Sequence, residues 1–203
     1  MPKYQNRTIE KSLNEAIGKW PVIMITGPRQ VGKTTLLNYL AEKSEEKINY
    51  ISLDNMLIRA QAKEDPELFL RTFEAPLIID EFQYAPELLS YIKIKIDEAR
   101  KKEMFEEGNE VGTMYYLTGS QVFQTMKNVS ESLAGRIRIF DLYGFSEREC
   151  EQIEEPIFLP DIKKIKEKKT TSSKSTTEIF KRILDGSYPT VKNNDGKNRE
   201  EFY

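Results

Sequence analysis

The chain has 203 residues, with 31 Lys and Arg against 33 Asp and Glu, a formal net charge of −2, one cysteine and no histidine. That length suits one α/β domain with its own core and a fragment of a second. The charge balance gives no bulk electrostatic case for nucleic acid or an anionic membrane, and the lack of histidine excludes His-based triads, His general bases and ordinary zinc sites.

Chemistry therefore falls to carboxylates, Lys, Arg, hydroxyls, backbone groups and a bound ion. Cys150 alone excludes an internal disulfide. With the polar start "MPKYQNRTIEK", it points to a reducing, cytoplasmic setting. No apolar run approaches the roughly 20 residues of a membrane span.

In chain order, residues 7–19 predict a short helix, with Ile9, Leu13, Ala16 and Ile17 at helical spacing. "VIMIT", residues 22–26, is a β-branched apolar run that suits a strand buried on both faces. Leu36, Leu37 and Leu40 then share a helical face. "KINYISLD", residues 47–54, predicts a second strand. Pro66 and Glu67 open a short helix carrying Leu68, Phe69 and Leu70. "PLIID", residues 76–80, is a third buried strand ending in acid.

"PELLSYIKIKIDEAR" fits two patterns. Ile92, Ile94 and Ile96 alternate as in a strand, whereas Leu89, Ile92, Ile96 and Ala99 fit a helix. Its length, the Pro86-Glu87 start and the charged tail select the helix. "TMYYLTGS", residues 113–120, and "RIRIFDLY", residues 136–143, give strands four and five. Strands alternating with helices imply parallel βαβ units. Residues 161–177 are rich in Lys, Ser and Thr and read as a linker. The helical segment "EIFKRILDG" follows it.

Between strand one and its helix, Gly27, Gly32, Lys33 and Thr34 match G-x-x-x-x-G-K-[ST], the P-loop pattern in its confirming context. The glycines let the backbone wrap a phosphate with its N–H groups inward. The helix N-terminus adds positive partial charge. Lys33 reaches β- and γ-phosphates, and the Thr34 hydroxyl can ligate Mg²⁺. The candidate nucleotide-binding set is Gly27, Pro28, Arg29, Gln30, Val31, Gly32, Lys33, Thr34 and Thr35. The competing reading, a glycine turn beside a solvated lysine, explains neither strand nor helix.

Asp80 closes a buried strand and suits the Mg²⁺ coordination shell, so Thr34 and Asp80 are the candidate metal ligands. Glu81 beside it can polarise an attacking water as a general base. Taken alone, an Asp-Glu pair at a strand end reads as a cap or surface charge; a P-loop upstream changes that. Thr118 and Ser120 place hydroxyls at a strand's carboxyl edge, where one can sense a γ-phosphate or orient water. Arg136, after Gly135, is a candidate to neutralise charge on the transferred phosphoryl, against a capping or surface role. Arg138 reads as structural. Arg29 is a weaker candidate for a phosphate or subunit contact. The run Lys163, Lys164, Lys166, Lys168, Lys169 reads as solvated. No interleaved aromatics support base stacking there, and nucleic acid stays unsupported as a partner.

"ITGPRQVGKTTLL", "YISLDN", "LIIDEFQYAPELL", "YYLTGSQ", "ESLAGRIRIFDLYGFSERE" and "DGSYP" stand in the order typical of a family of prokaryotic AAA-fold ATPases with a GPRQVGKTT Walker A signature. The chain resembles that family over about residues 7–150 and again near residues 186–189. The resemblance implies an α/β P-loop NTPase fold, a three-layer sandwich around a five-stranded parallel sheet of order 5-1-4-3-2. It makes Lys33 and Thr34 the Walker A pair and Asp80 and Glu81 the Walker B pair. Ser120 or Thr118 takes the sensor-1 position, and Arg136 becomes the arginine-finger candidate.

The implied cofactors are ATP and Mg²⁺, with ATP over GTP resting on the resemblance. The implied partners are a second copy of the chain or another protein. Tyr84 stands where a basic residue is more usual, and Gly144-Phe145 where Pro-Leu often appears. The family usually carries a C-terminal domain, and "REEFY" reads as its first residues. The expected division is residues 1–155 as the ATPase domain, 156–177 as linker and 178–203 as a helical segment leading into a truncated domain. The expected activity is slow ATP hydrolysis coupled to a partner. A non-hydrolysing nucleotide switch and a small-molecule P-loop kinase are the alternatives.

Overall fold

A computed structural model describes residues 4–105, 111–120, 129, 131–153 and 174–192. The chain divides into two compact units, residues 9–143 and residues 1–8 with 144–203. Most of the expected linker lies outside the described residues.

In the unit 9–143, β1 (Val22–Thr26), β2 (Asn49–Ser52), β3 (Leu77–Asp80), β4 (Tyr115–Gly119) and β5 (Ile137–Asp141) form one parallel sheet of order β2-β3-β4-β1-β5. Read from its other edge this is 5-1-4-3-2, the order that the family resemblance implies. β1, β3 and β4 are buried at every position, because the sheet is covered on both sides. Side chains alternate between the faces. Val22, Met24, Leu77, Ile79, Tyr115 and Leu117 point to one core, joined by Ala62, Phe69, Leu70, Leu88, Leu89, Ile92 and Ile96. Those helical residues come from α3 (Met56–Glu64), α4 (Pro66–Thr72) and α5 (Leu88–Phe105). On the other face Ile78 and Tyr116 line a groove with Ile17, Leu37 and Leu40, beside α1 (Glu10–Ala16) and α2 (Lys33–Lys43). Helix, sheet and helix make the expected three layers.

The ambiguous run is helical throughout α5: Ile92 and Ile96 are fully buried while Ile94 is 52% exposed, which a strand's period cannot give. α4 starts on Pro66, and Asp65 caps it by accepting from the Leu68 N–H at 2.9 Å. α3 is an addition to the sequence reading. Asn55 caps it, its Oδ1 accepting from Leu57 and Ile58 N–H at 3.0 and 3.3 Å.

In register, Val22 lies beside Tyr115 and Ile137, Leu77 beside Tyr115, and Asn49 beside Leu77. The strands therefore end together. Ser52 and Asp80 are paired, as are Thr26 and Gly119, and Thr26 and Asp141. One carboxyl edge gathers the ends of all five strands, four of them polar, the usual ligand position in open α/β sheets.

In the unit formed by residues 1–8 and 144–203, Arg7 pairs with Glu149 at 3.3 Å and lies 4.6 Å over the Phe145 ring. Glu149 also closes a capping box with Ser146 at the start of α6 (Glu147–Glu151). α7 (Thr176–Asp185) has its own capping box, Ser175 with Glu178, so it begins two residues inside the stretch read as linker. A short α8 (Pro189–Lys192) follows. Gly144 meets the turn before it: the Phe145 N–H donates to Ser187 O at 2.7 Å, and a Cβ on Gly144 would lie 2.2 Å from Ser187 Oγ. This contact is the physical reason for glycine where Pro-Leu was more usual.

Candidate nucleotide-binding site

β1 delivers the chain to the P-loop at Thr26, whose carbonyl accepts from the Leu142 N–H at 2.7 Å. The loop leaves pressed against that segment. A Cβ on Gly27, at φ +147°, would lie 2.0 Å from Leu142 O, so no other residue fits. Gln30 and Gly32 take φ of 64° and 95°, left-handed turns that bend the loop back toward α2. Gly32 is the residue before α2, and the first N–H groups of a helix have no acceptor within it. Val31 is buried and anchors the loop, while Arg29 and Gln30 are exposed, Pro28 is half-buried, and Thr35 is exposed in the first turn of α2.

Lys33 is 6% exposed. Its Nζ donates to Gly27 O at 3.1 Å and Pro28 O at 2.8 Å. Burial pulls this ammonium below the usual lysine range; Glu81 and Asp80 pull it back up, and Arg29 pushes it further down.

Asp80 is the hub. Thr34 Oγ1 lies 3.0 Å from each of its carboxylate oxygens. Thr118 Oγ1 donates to Oδ1, and Tyr50 Oη donates to Oδ2 at 2.9 Å. Thr118 Oγ1 also accepts from the Glu81 N–H at 3.2 Å. One buried hydroxyl thus ties β4 to both Walker B acids. Glu81 has φ +54° and opens a 3₁₀ turn over Phe82–Tyr84. That turn brings Gln83 round to donate from Nε2 to Glu81 Oε2. Gln83 Oε1 is buried with no hydrogen-bond partner and rests against Gly119.

Ser120, half-buried, follows the last residue of β4 at this edge. Of the two hydroxyls considered for sensing, Thr118 is the one bonded to the Walker B acids. Arg136 lies elsewhere. It precedes β5, and its carbonyl accepts from the Val22 N–H at 3.0 Å, so it sits at the amino edge of the sheet. Five strand positions from Thr26 correspond to about 16 Å. There its guanidinium holds Asp97 at 2.7 Å and Ala134 O at 3.1 Å. Within one chain it is not brought to the loop. Arg138 lies 5.7 Å from the Phe140 ring, in keeping with a structural role.

The donor set suits a magnesium nucleotide. Thr34 and Asp80 offer hard oxygens side by side. No cluster of three or more His, Cys, Asp or Glu that could hold a metal occurs among the described residues. Magnesium is ordinarily held by one or two protein ligands, phosphates and water, and the buried lysine and helix N-terminus face phosphate chemistry.

A family model described as an AAA domain matches residues 19–151. The chain belongs to this AAA domain family. The AAA domain is 30% identical over 145 residues to the uncharacterized proteins Rv2008c of Mycobacterium tuberculosis and Mb2031c of Mycobacterium bovis. The match covers 71% of this chain and 30% of each relative, so the chain spans less than a third of the length of the curated relatives it matches. Among solved structures, it is similar to a Thermotoga maritima RuvB Holliday junction branch migration motor, at 20% identity and TM-score 0.44 over 73% of this chain and 49% of that one. It is also similar to the Aeropyrum pernix ORC2 protein in its ADP form, at 18% identity and TM-score 0.45 over 75% and 53%.

Sequence reasoning missed Tyr50 and Gln83. Tyr50 stands in "YISLD" as an ordinary strand aromatic, and only cross-strand register brings it to Asp80. Gln83 carried a weak signal, a carboxamide two residues beyond a Walker B glutamate.

Proposed function

We propose that this AAA domain binds Mg·ATP at the P-loop, hydrolyses it slowly and couples nucleotide state to a second copy or a protein partner. The observation that carries this reading is the hydroxyl-linked cluster of Thr34, Asp80, Thr118 and Glu81 at one strand edge. Lys33 leaves its two loop carbonyls to meet the β- and γ-phosphates. Thr34 and Asp80 hold magnesium, which supplies neutralisation of phosphate charge. Glu81, released by Gln83, takes a proton from the attacking water. Thr118 holds the backbone of Glu81 and the carboxylate of Asp80 in fixed relation, and Ser120 stands next to it to orient water. Arg136 serves a neighbouring copy's site, because its own lies a strand length away. No helix among the described residues is long and apolar enough to cross a membrane.

A second reading is a nucleotide switch that does not turn over. The Gln83 bond to Glu81 and the Asp97 pair on Arg136 favour it, since both catalytic groups are engaged elsewhere. ATP hydrolysis measured against protein concentration, for wild type and Glu81→Gln, separates the two. A rate per chain that rises with concentration and vanishes in the variant supports the shared-arginine ATPase. Binding without turnover at every concentration supports the switch. Loss of binding in Lys33→Ala is expected of both, and retained affinity sinks the P-loop site itself.

A further inference from the structure

The carboxyl edge of the sheet carries polar groups on both faces. Asp80 and Thr118 continue the alternation of Ile78 and Tyr116, and there Thr34, Asp80 and Thr118 satisfy one another. Thr26 continues Val22 and Met24 toward the opposite core, and its register partner on β4 is Gly119. Thr26 is fully buried. Among the described residues its Oγ1 has no hydrogen-bond partner, and neither has the buried Gln83 Oε1. The two atoms are neighbours. Gln83 Oε1 lies 2.8 Å from where a Cβ on Gly119 would stand, on the same side as Met24 Cε at 3.7 Å. Thr26 presents its hydroxyl to that side from the next strand, about 4.8 Å away.

A hydroxyl can donate and an amide carbonyl can only accept, so the two are complementary. The carboxamide stops short of Thr26 because its Nε2 is tied to Glu81 Oε2. In that arrangement Gln83 keeps one bond to a charged group, while two buried polar atoms bear the loss of water without a partner. Swung toward β1, the carboxamide gives up Glu81 and takes the Thr26 hydroxyl on Oε1. Gln83 is half-buried, so its Nε2 can then face water. Gain and loss are of the same order, which is the condition for a side chain with two populated seats. We propose that Thr26 and Gln83 form a latch on Glu81: Gln83 has a second seat on the Thr26 hydroxyl, and taking it frees the glutamate. Thr26 is thereby a positioning residue that acts through Gln83, on the strand that runs directly into the P-loop. The consequence for turnover rests on the ATPase reading above; the latch itself does not.

Urea unfolding of the nucleotide-free chain reads the latch directly, in a cycle of Thr26→Val, Glu81→Ala and both together. Thr26→Val keeps the shape of the side chain and removes the hydroxyl. With Glu81 in place that hydroxyl is idle, so Thr26→Val leaves the unfolding midpoint unchanged or raises it. After Glu81→Ala the carboxamide is released onto Thr26, and the same substitution lowers the midpoint. No drop after Glu81→Ala, or a drop with Glu81 in place, would overturn the latch; the second would show the hydroxyl already paired through a bridging water. In single-turnover hydrolysis Thr26→Val should slow the reaction about two- to tenfold, the worth of one neutral hydrogen bond, with ATP affinity unchanged. That loss should vanish when Gln83→Ala is also present. A loss that persists there, or no loss at all, would overturn the action of Thr26 through Gln83. A wild-type chain that binds ATP and never turns it over refutes the ATPase reading instead, and the unfolding cycle still decides the latch.

Discussion

Replacing Gly119 with Ala tests whether Gln83 holds Glu81 back from catalysis. Gly119 is the buried last residue of β4, and its backbone lies outside the left-handed region, so alanine suits the strand. The added Cβ would lie 2.8 Å from Gln83 Oε1 and 3.7 Å from Met24 Cε. The first contact is too close, but it involves the far end of a flexible side chain, which must swing away. Three contributions follow. Losing a hydrogen bond to the charged Glu81 costs about 1.5–3 kcal/mol. Moving a buried, partnerless carbonyl into water returns about 1–3 kcal/mol. Gly→Ala stiffens the unfolded chain less favourably for unfolding, by about 0.4–1 kcal/mol. The sum is a stability within about 1 kcal/mol of wild type. Glu81 meanwhile loses the side-chain partner that it must leave before it can act, and an interaction of that size corresponds to a turnover about 10- to 100-fold higher. Urea unfolding, ATP affinity and single-turnover hydrolysis measure the three quantities separately. Unchanged turnover with intact binding and stability would refute the role given to Gln83. A loss above about 3 kcal/mol would show that the side chain cannot move aside.

The neighbouring glycine of the site behaves oppositely: Gly27→Ala puts a Cβ 2.0 Å from backbone that cannot yield, and the expected outcome is loss of folded protein in circular dichroism. Thr118→Val leaves the Glu81 N–H and Asp80 Oδ1 short of a partner; we expect a stability loss of about 2–4 kcal/mol in urea, and a change within the error of the fit would refute the tie between strands. Lys33 has its folded value lowered by burial. Between that value and the ordinary lysine range the unfolded chain binds more protons, so stability of the nucleotide-free protein rises with pH through this window. Bound phosphate raises the ammonium again, so ATP affinity falls over the same window; a Lys33→Arg variant with the same fall would refute Lys33 as the source. Phe69→Ala, at a fully buried ring packed 5.0 Å from Phe73, should cost about 3–5 kcal/mol by thermal unfolding.

Much of this was legible from sequence where one physical signal dominated. β1, β3 and β4 are buried on both faces and announce themselves as short apolar runs. The P-loop announces itself by spacing. α3 was missed because only Ala62 of its nine residues is buried, so its hydrophobic period is faint; Asn55 was the available signal. Tyr50 and Gln83 act through partners chosen by cross-strand register and by the left-handed backbone at Glu81, neither of which a linear pattern carries. Arg136 is instructive. A residue just before a strand of a parallel sheet must sit at the amino edge, away from a loop that follows another strand, and its remoteness from its own P-loop could have been derived before any coordinates.

The contact between Gly144 and Ser187 has an evolutionary reading. Lys174 pairs with Glu147 and Glu151, and Arg182 with Glu147 at 3.0 Å, so the chain on either side of the Lys-rich stretch is stapled within its unit. For a segment closed at both ends, doubling its length adds only about 0.6 kcal/mol. By closure entropy alone, a change in the length between the staples is nearly invisible to selection on stability. A single methyl group at position 144 is not, since it would meet Ser187 at 2.2 Å. Where related genes carry a larger residue at position 144, the turn that holds Ser187 should accordingly differ as well.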